Sequence, residues 1–295
     1  MHRQSTCDAI GLNKFLKRKE NRFFLKKSPA KTGGFFILFI LTNVIMASMN
    51  KKESKNWVDV TAPGKRQARG HLHLLTQTME AAAGIFQSMG FEIAEGPEVE
   101  TEYYNFDALN IPKNHPARKM QDTFWLKSNQ KFLLRTHTSP VQIRYMEHHQ
   151  PPIRIIAPGR VFRHEATDAT HETQFYQIEG LMVDEKTNMA NLKAIIKIFL
   201  QKFLGDEKLD IRFRASYFPF VEPGVEIDMK FESKWLEICG AGMVHPNVLK
   251  SVKLEPNKWQ GFAFGMSVER LAMIKHKIDD VRLFYSGDLR FIRQF

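Results

Sequence analysis

Gly159-Arg-Val-Phe-Arg-His-Glu165 and Gly261-Phe-Ala-Phe-Gly-Met-Ser-Val-Glu-Arg-Leu-Ala-Met273 are the two stretches on which the fold turns. The first extends the apolar run Ile155-Ile156-Ala157 as a strand, and alternation then puts Arg163 and Glu165 on one face, Phe162 and His164 on the other. A guanidinium fixed on a strand suits a bidentate grip on phosphate, because its planar fork matches two oxygens and its charge is permanent. Taken alone, the same spacing also makes an Arg/Glu ladder on a solvated face. The second stretch passes from an apolar strand with two glycines into a helix that carries Arg270 in its first turns. Gly265 lets a flat ligand or another backbone come close, and Arg270 stands where it could face a triphosphate. An ordinary strand-turn-helix with a solvated Glu269/Arg270 pair fits this stretch equally well.

Outward from these segments, a few helices interrupt many short strands. His73 to Gly90 places Leu74, Met79, Ala82, Ala83, Phe86 and Met89 at steps of three or four with a glycine stop, which predicts an amphipathic helix. Asn191 to Leu204 repeats that pattern. Phe91 to Glu95 alternates as a half-buried strand should. Further strands are expected at Thr123 to Leu126, Phe132 to Arg135, Ile153 to Pro158, Glu179 to Val183, Ile211 to Phe213, Val225 to Phe231 and Leu236 to Gly242. Such an order predicts an α+β architecture around an antiparallel sheet flanked by helices, not a parallel βαβ series. With neither a Walker loop nor a GxGxxG, P-loop and Rossmann enzymes are disfavoured.

The 295 residues, 43% of them hydrophobic and 25% charged, suffice for one large or two ordinary domains and exclude a disordered chain. The net charge of +11 points to a polyanionic partner only weakly, since nine Lys and Arg lie before Thr32 against Asp8 and Glu20. Cys7 and Cys239 make neither a disulfide framework nor a metal motif, so a reducing, cytoplasmic setting is the default. The apolar run Phe35 to Met46 would span ~18 Å as a helix, short of the ~30 Å bilayer core. Residues 1–50 read as a basic and hydrophobic leader: a start-site artefact or disordered extension, a targeting segment or a membrane-surface anchor. A boundary is expected near Asn50 to Lys65, with the body running from residue 57 to 295.

The two opening stretches together resemble motifs 2 and 3 of class II aminoacyl-tRNA synthetases. The likeness extends, in order, through Thr136-His-Thr-Ser-Pro140, Asp168-Ala-Thr-His171, Gln177-Ile-Glu-Gly-Leu181, Ser216-Tyr-Phe-Pro-Phe220-Val-Glu-Pro223, Gly242-Met-Val-His-Pro246 and Asp288 to Phe295. It is similar throughout to the α subunits of bacterial phenylalanyl-tRNA synthetase, over residues 57–295.

The resemblance implies a class II antiparallel fold and a two-step reaction. ATP and L-phenylalanine form phenylalanyl-adenylate, and the acyl group then passes to tRNA(Phe). No side-chain nucleophile is required, which agrees with a motif set rich in Arg, Gln and aromatic residues. By resemblance, Arg163 holds the α-phosphate and Arg270 the γ side of a bent ATP, while Glu165 lies near adenine and Gly265 beside the nucleotide. His137, Ser139, Gln142, Gln177, Glu179, Phe218, Phe220 and Ala263 correspond to the phenylalanine pocket. Alternation aims Gln177 and Glu179 at one face, and Phe218 and Phe220 likewise. Ala263 matches a small pocket-floor residue that admits a phenyl ring but no para substituent. Glu222 matches a carboxylate that shares Mg²⁺ with the β subunit.

The implied assembly is an α2β2 heterotetramer with no stable membrane association, and that setting favours the artefact or extension reading of the leader. The fifty residues before the body carry no heptad pattern, so the coiled-coil arm of bacterial relatives is expected to be absent or replaced. A non-catalytic paralogue is the rival from another class. It has no physical reason to keep Arg163, Glu179, Phe218, Phe220 and Arg270 together.

Overall fold

The computed structural model describes residues 70–113, 123–127, 131–231 and 234–295, with Thr61 and Gly64 described singly before them. The leader lies outside the described residues. The chain divides into two units, Met1–Gln67 and Ala68–Phe295, and the second holds every described helix and strand.

Its first helix, α1 (Leu74–Ser88), buries Leu74, Leu75, Thr78, Ala82, Ala83 and Phe86 along one stripe. The His73 side chain caps it by accepting the Leu75 N–H, and Gly90 turns the chain away at φ +84°. Among the described residues nine strands follow in chain order: β1 (Glu92–Ile93), β2 (Val99–Thr101), β3 (Phe132–Leu134), β4 (Ile153–Phe162), β5 (Gln174–Asp184), β6 (Ile211–Phe218), β7 (Val221–Phe231), β8 (Lys234–Val244) and β9 (Gln260–Ser267). Seven of them form one sheet in the order β1-β4-β5-β9-β8-β7-β6, and β2 pairs with β3 in a small second sheet. Every pairing is antiparallel except β1 with β4, which agrees with the α+β expectation. The remaining helices among the described residues are α2 (Glu102–Asn105), α3 (Ser139–His148), α4 (Met189–Leu204), α5 (Pro246–Ser251), α6 (Val268–His276) and α7 (Leu289–Ile292). No helix of the described residues is long and apolar enough to cross a membrane.

Clusters of buried side chains lie on both faces of the large sheet. On one, α1 and α4 deliver Phe86 and Phe199, whose rings stack at 4.4 Å, and Phe86 reaches Phe264 of β9 at 5.3 Å. An Asn188 capping box starts α4, worth ~1 kcal/mol, and Gly205 at φ +71° ends it. The other face carries a second cluster, including Val141 and Ile143 of α3, Ile155 of β4, Leu181 of β5 and Val248 of α5. Adjacent β4 residues Ile155 and Ile156 serve opposite clusters, as period two requires.

Three local expectations give way. Phe91 to Glu95 does not alternate: Phe91 and Ala94 are buried while Ile93 is exposed, because only two residues pair with β4 before the chain leaves the sheet. Thr123 to Leu126 contributes only an isolated bridge from Trp125 to Leu133. Most relevant to the site, β4 stops at Phe162. Arg163 makes one further main-chain bond, its N–H donating to Thr173 O, and Glu165 lies in the loop beyond, not on the strand.

Candidate active site

Two adjoining compartments open along β5, β9 and β8. The first, about 620 Å³, is walled mainly by apolar groups such as Ile143, Met146, Leu181, Phe218, Phe220 and Ala263. The second, about 810 Å³, carries the charged groups Glu165, Glu172, Arg270 and Lys277 beside His171. Five described residues line both: Arg163, Gln177, Glu237, Gly240 and Gly265.

Local geometry explains why these side chains meet. Thr136 to Thr138 turn the chain from β3 into α3, whose first residue is Ser139, so His137, Ser139 and Gln142 all face β5. There Glu179 is buried, and its Oε2 accepts from Ser139 Oγ at 2.6 Å and from Gln142 Nε2 at 2.9 Å. Burial pushes the Glu179 carboxyl up to about 7, against the pull of the Ser139 hydrogen bond and the Arg163 charge. His137 is pushed down to about 3, first by burial and then by the Arg163 charge, so it is a neutral imidazole near pH 7. Neither of its ring nitrogens meets a hydrogen-bond partner, and Gln177 Oε1 is also unpaired. Such orphaned polar atoms in a cleft are ready for a polar ligand, since leaving them buried and unmade costs ~1–3 kcal/mol each.

Phe218 ends β6, and Phe220 lies in the two-residue turn with Pro219 that leads into β7. The turn, not strand alternation, brings the rings together at 5.9 Å. Bare backbone makes room for the walls: a Cβ on Gly240 would stand 2.9 Å from Phe218 Cζ, and one on Gly265 would stand 3.1 Å from Gln177 and Glu179 atoms.

Arg163 reaches the boundary of the compartments with its Nε donating to Thr136 O at 3.1 Å and its guanidinium 5.0 Å from the Phe175 ring centroid. Arg270, exposed on α6, donates from Nη1 to Glu237 O at 3.1 Å. Its neighbour Glu269 is no solvated partner. Glu269 is buried and accepts from Tyr285 Oη, the Tyr176 N–H and Ser267 Oγ, which ties α6 to β5. Glu222 stands apart, on β7 and outside the residues lining either compartment, highly exposed and 3.3 Å from His245 Nε2. Among the described residues no group of three or more His, Cys, Asp or Glu could by itself hold a metal. Glu237 and Glu226 also line the first compartment, and no motif of the sequence singles them out. The alternation of Glu237 against Leu236 and Ile238 is their only trace there.

Residues 57–295 match the family model described as the tRNA synthetases class II core domain (F). Curated relatives include a protein of Nostoc punctiforme, 56% identical over 81% of this chain and 71% of its own length, and one of Synechocystis sp., 52% identical over 86% and 76%. A third, from Prochlorococcus marinus (strain MIT 9313), is 53% identical over 81% and 70%, and all three carry the name phenylalanine–tRNA ligase alpha subunit. Among solved structures, a pyrrolysyl-tRNA synthetase from Desulfitobacterium hafniense aligns over 90% of this chain and 89% of its own with a TM-score of 0.59 and 18% identity, a likeness of fold alone. The chain belongs to the class II tRNA synthetase core-domain family, enzymes that join an amino acid to tRNA.

Proposed function

We propose that this chain is the catalytic α subunit of a cytoplasmic phenylalanine–tRNA ligase, working with a β subunit in an α2β2 assembly. The observation that carries this reading is the junction: an apolar chamber with a buried carboxylate adjoins an arginine-bearing chamber, and Arg163 lines both. A zwitterion with a phenyl side chain fits the first. Its ammonium faces Glu179, held by Ser139 and Gln142; its ring lies against Phe218 and Phe220, with Ala263 limiting the para position. The unpaired atoms of His137 and Gln177 serve the polar end of the same ligand.

ATP fits the second chamber, its α-phosphate at Arg163, its γ-phosphate toward Arg270 and its base near Glu165, with Gly265 allowing close approach. An oxygen of the phenylalanine carboxylate attacks the α-phosphorus; that O–P bond forms as the bond to the bridging oxygen breaks, and pyrophosphate leaves. The terminal ribose hydroxyl of tRNA(Phe) then attacks the acyl carbon, losing its proton as AMP departs with the C–O electron pair. Neither step needs a side-chain nucleophile. Positioning and charge neutralisation supply the rate.

Glu222 offers a single carboxylate to Mg²⁺, an ion that takes few protein ligands and keeps water or phosphate around it. The residue is exposed and lines neither chamber, which suits an ion shared with the β subunit.

Phenylalanine-dependent exchange of pyrophosphate into ATP, measured with and without co-produced β subunit, tests the reading. Exchange is expected with β present, and its absence under both conditions overturns the proposal.

A further inference from the structure

Arg214, on β6, lines neither compartment, yet it is tied to charged groups that do. Register sets it opposite Glu226 of β7, and β7 in turn sets Asp228 opposite Glu237 of β8. Asp228 is buried and accepts from Arg214 at both oxygens, Nε to Oδ2 at 2.7 Å and Nη2 to Oδ1 at 2.9 Å. This bidentate anchor fixes the plane of the guanidinium. Its Nη2 then stands 2.8 Å from Glu226 Oε2 and 3.5 Å from Glu237 Oε2. Ser216 holds the other Glu226 oxygen, donating to Oε1 at 2.9 Å. Glu237 meets Arg270 twice, at its main-chain oxygen and, at 3.9 Å, at Oε1. A ladder of alternating charge therefore runs across three strands into the cleft: Asp228, Arg214, Glu237, Arg270. Without the central cation, Glu226 and Glu237 would repel each other, and the half-exposed Glu237 carboxylate would be free to swing toward solvent, leaving Arg270 only its main-chain bond.

We propose that Arg214 is a positioning residue for nucleotide binding: anchored on Asp228, it holds Glu226 and Glu237 at the cleft wall and, through Glu237, sets where Arg270 meets the polyphosphate. The proposal rests on the assignment of the second chamber to ATP. Arg212 provides the internal control. It binds the same buried Asp228, Nε to Oδ2 at 2.8 Å, but its guanidinium lies 4.5 Å from the centroid of the Trp235 ring.

The test uses the enzyme assembled with its β subunit. Binding of a non-hydrolysable ATP analogue is measured by calorimetry, beside the KM values for ATP and phenylalanine in pyrophosphate exchange. Arg214→Gln is expected to weaken the analogue and raise the KM for ATP by about tenfold, the loss of one charge-assisted contact, with a smaller change for phenylalanine. Arg214→Lys should recover part of the loss. Arg212→Gln should leave analogue binding within about twofold, the range of a surface charge change. If Arg214→Gln does not fold, Arg214→Gln/Asp228→Asn, which strands no buried charge, is read in its place. Unchanged analogue binding, or an equal loss in Arg212→Gln, overturns the proposal. If the unaltered enzyme binds the analogue in an Arg214-dependent way but shows no phenylalanine-dependent exchange, the amino-acid assignment fails and the role of Arg214 stands.

Discussion

Glu179 is the residue whose environment says most about its task. Its carboxyl is pushed up to about 7 by burial, against an ordinary 4.5, so the ligand-free fold binds an extra proton between those values. The fold's stability therefore rises as the pH falls from about 7 toward 4.5 and is lost again as the pH climbs through 7. An ammonium seated beside Glu179 favours the carboxylate instead. Phenylalanine binding should then release a proton below pH 7, and affinity should fall as the pH drops, approaching ~10-fold per unit. Calorimetry in buffers of different ionisation enthalpy reads this directly; a pH-flat affinity without proton release would contradict the ammonium site. Ala263, half-buried on β9 opposite Leu181 and Gly242, makes a second prediction. Removing its methyl as Ala263→Gly should let para-chlorophenylalanine support exchange, and unchanged specificity would count against Ala263 as the limit on ring length.

At the scale of elements, the site depends on helices that never touch it. Phe86 of α1 is fully buried against Phe199 of α4 and Phe264 of β9, and Phe264 lines the apolar chamber over the bare backbone of Gly180. Phe86→Ala should cost ~3–5 kcal/mol of stability, read from urea unfolding of the purified chain, because a ring-sized void remains between helix and sheet. Helices α1 and α4 are legible in the sequence as 3.6-period stripes, and the long strands are legible in their apolar centres. Strand ends are not. Arg163 looks like a strand residue because its neighbours alternate, but where β4 stops depends on where β5 begins, at Gln174 opposite Phe162, a pairing between segments that no local pattern encodes. Phe218 and Phe220 do share a wall, yet alternation is not the reason, since a tight turn mimics the spacing of a strand. Glu237 and Arg214 are illegible on a related ground: their partners lie one and two strands away.

For the molecule as a whole, exposed Glu222, paired with His245 at the start of α5, lines neither chamber and sits on a different part of β7 from Glu226. If Mg²⁺ bridges to the β subunit there, chelation should dissociate the assembly before it weakens ATP binding. Light scattering after size-exclusion chromatography, with and without EDTA, should show the α2β2 mass fall, and Glu222→Ala should reproduce that fall with Mg²⁺ present. An assembly indifferent to both would remove Glu222 from the interface.

The shared wall between the chambers bears on inheritance as well as on chemistry. Arg163, Gln177, Glu237, Gly240 and Gly265 each face both chambers, so a heritable change at any of them is pleiotropic. Mutants selected for a new amino acid should accumulate deep in the apolar chamber, at positions such as Ala263, and bypass the seam, where every gain for one substrate is also a perturbation of the other.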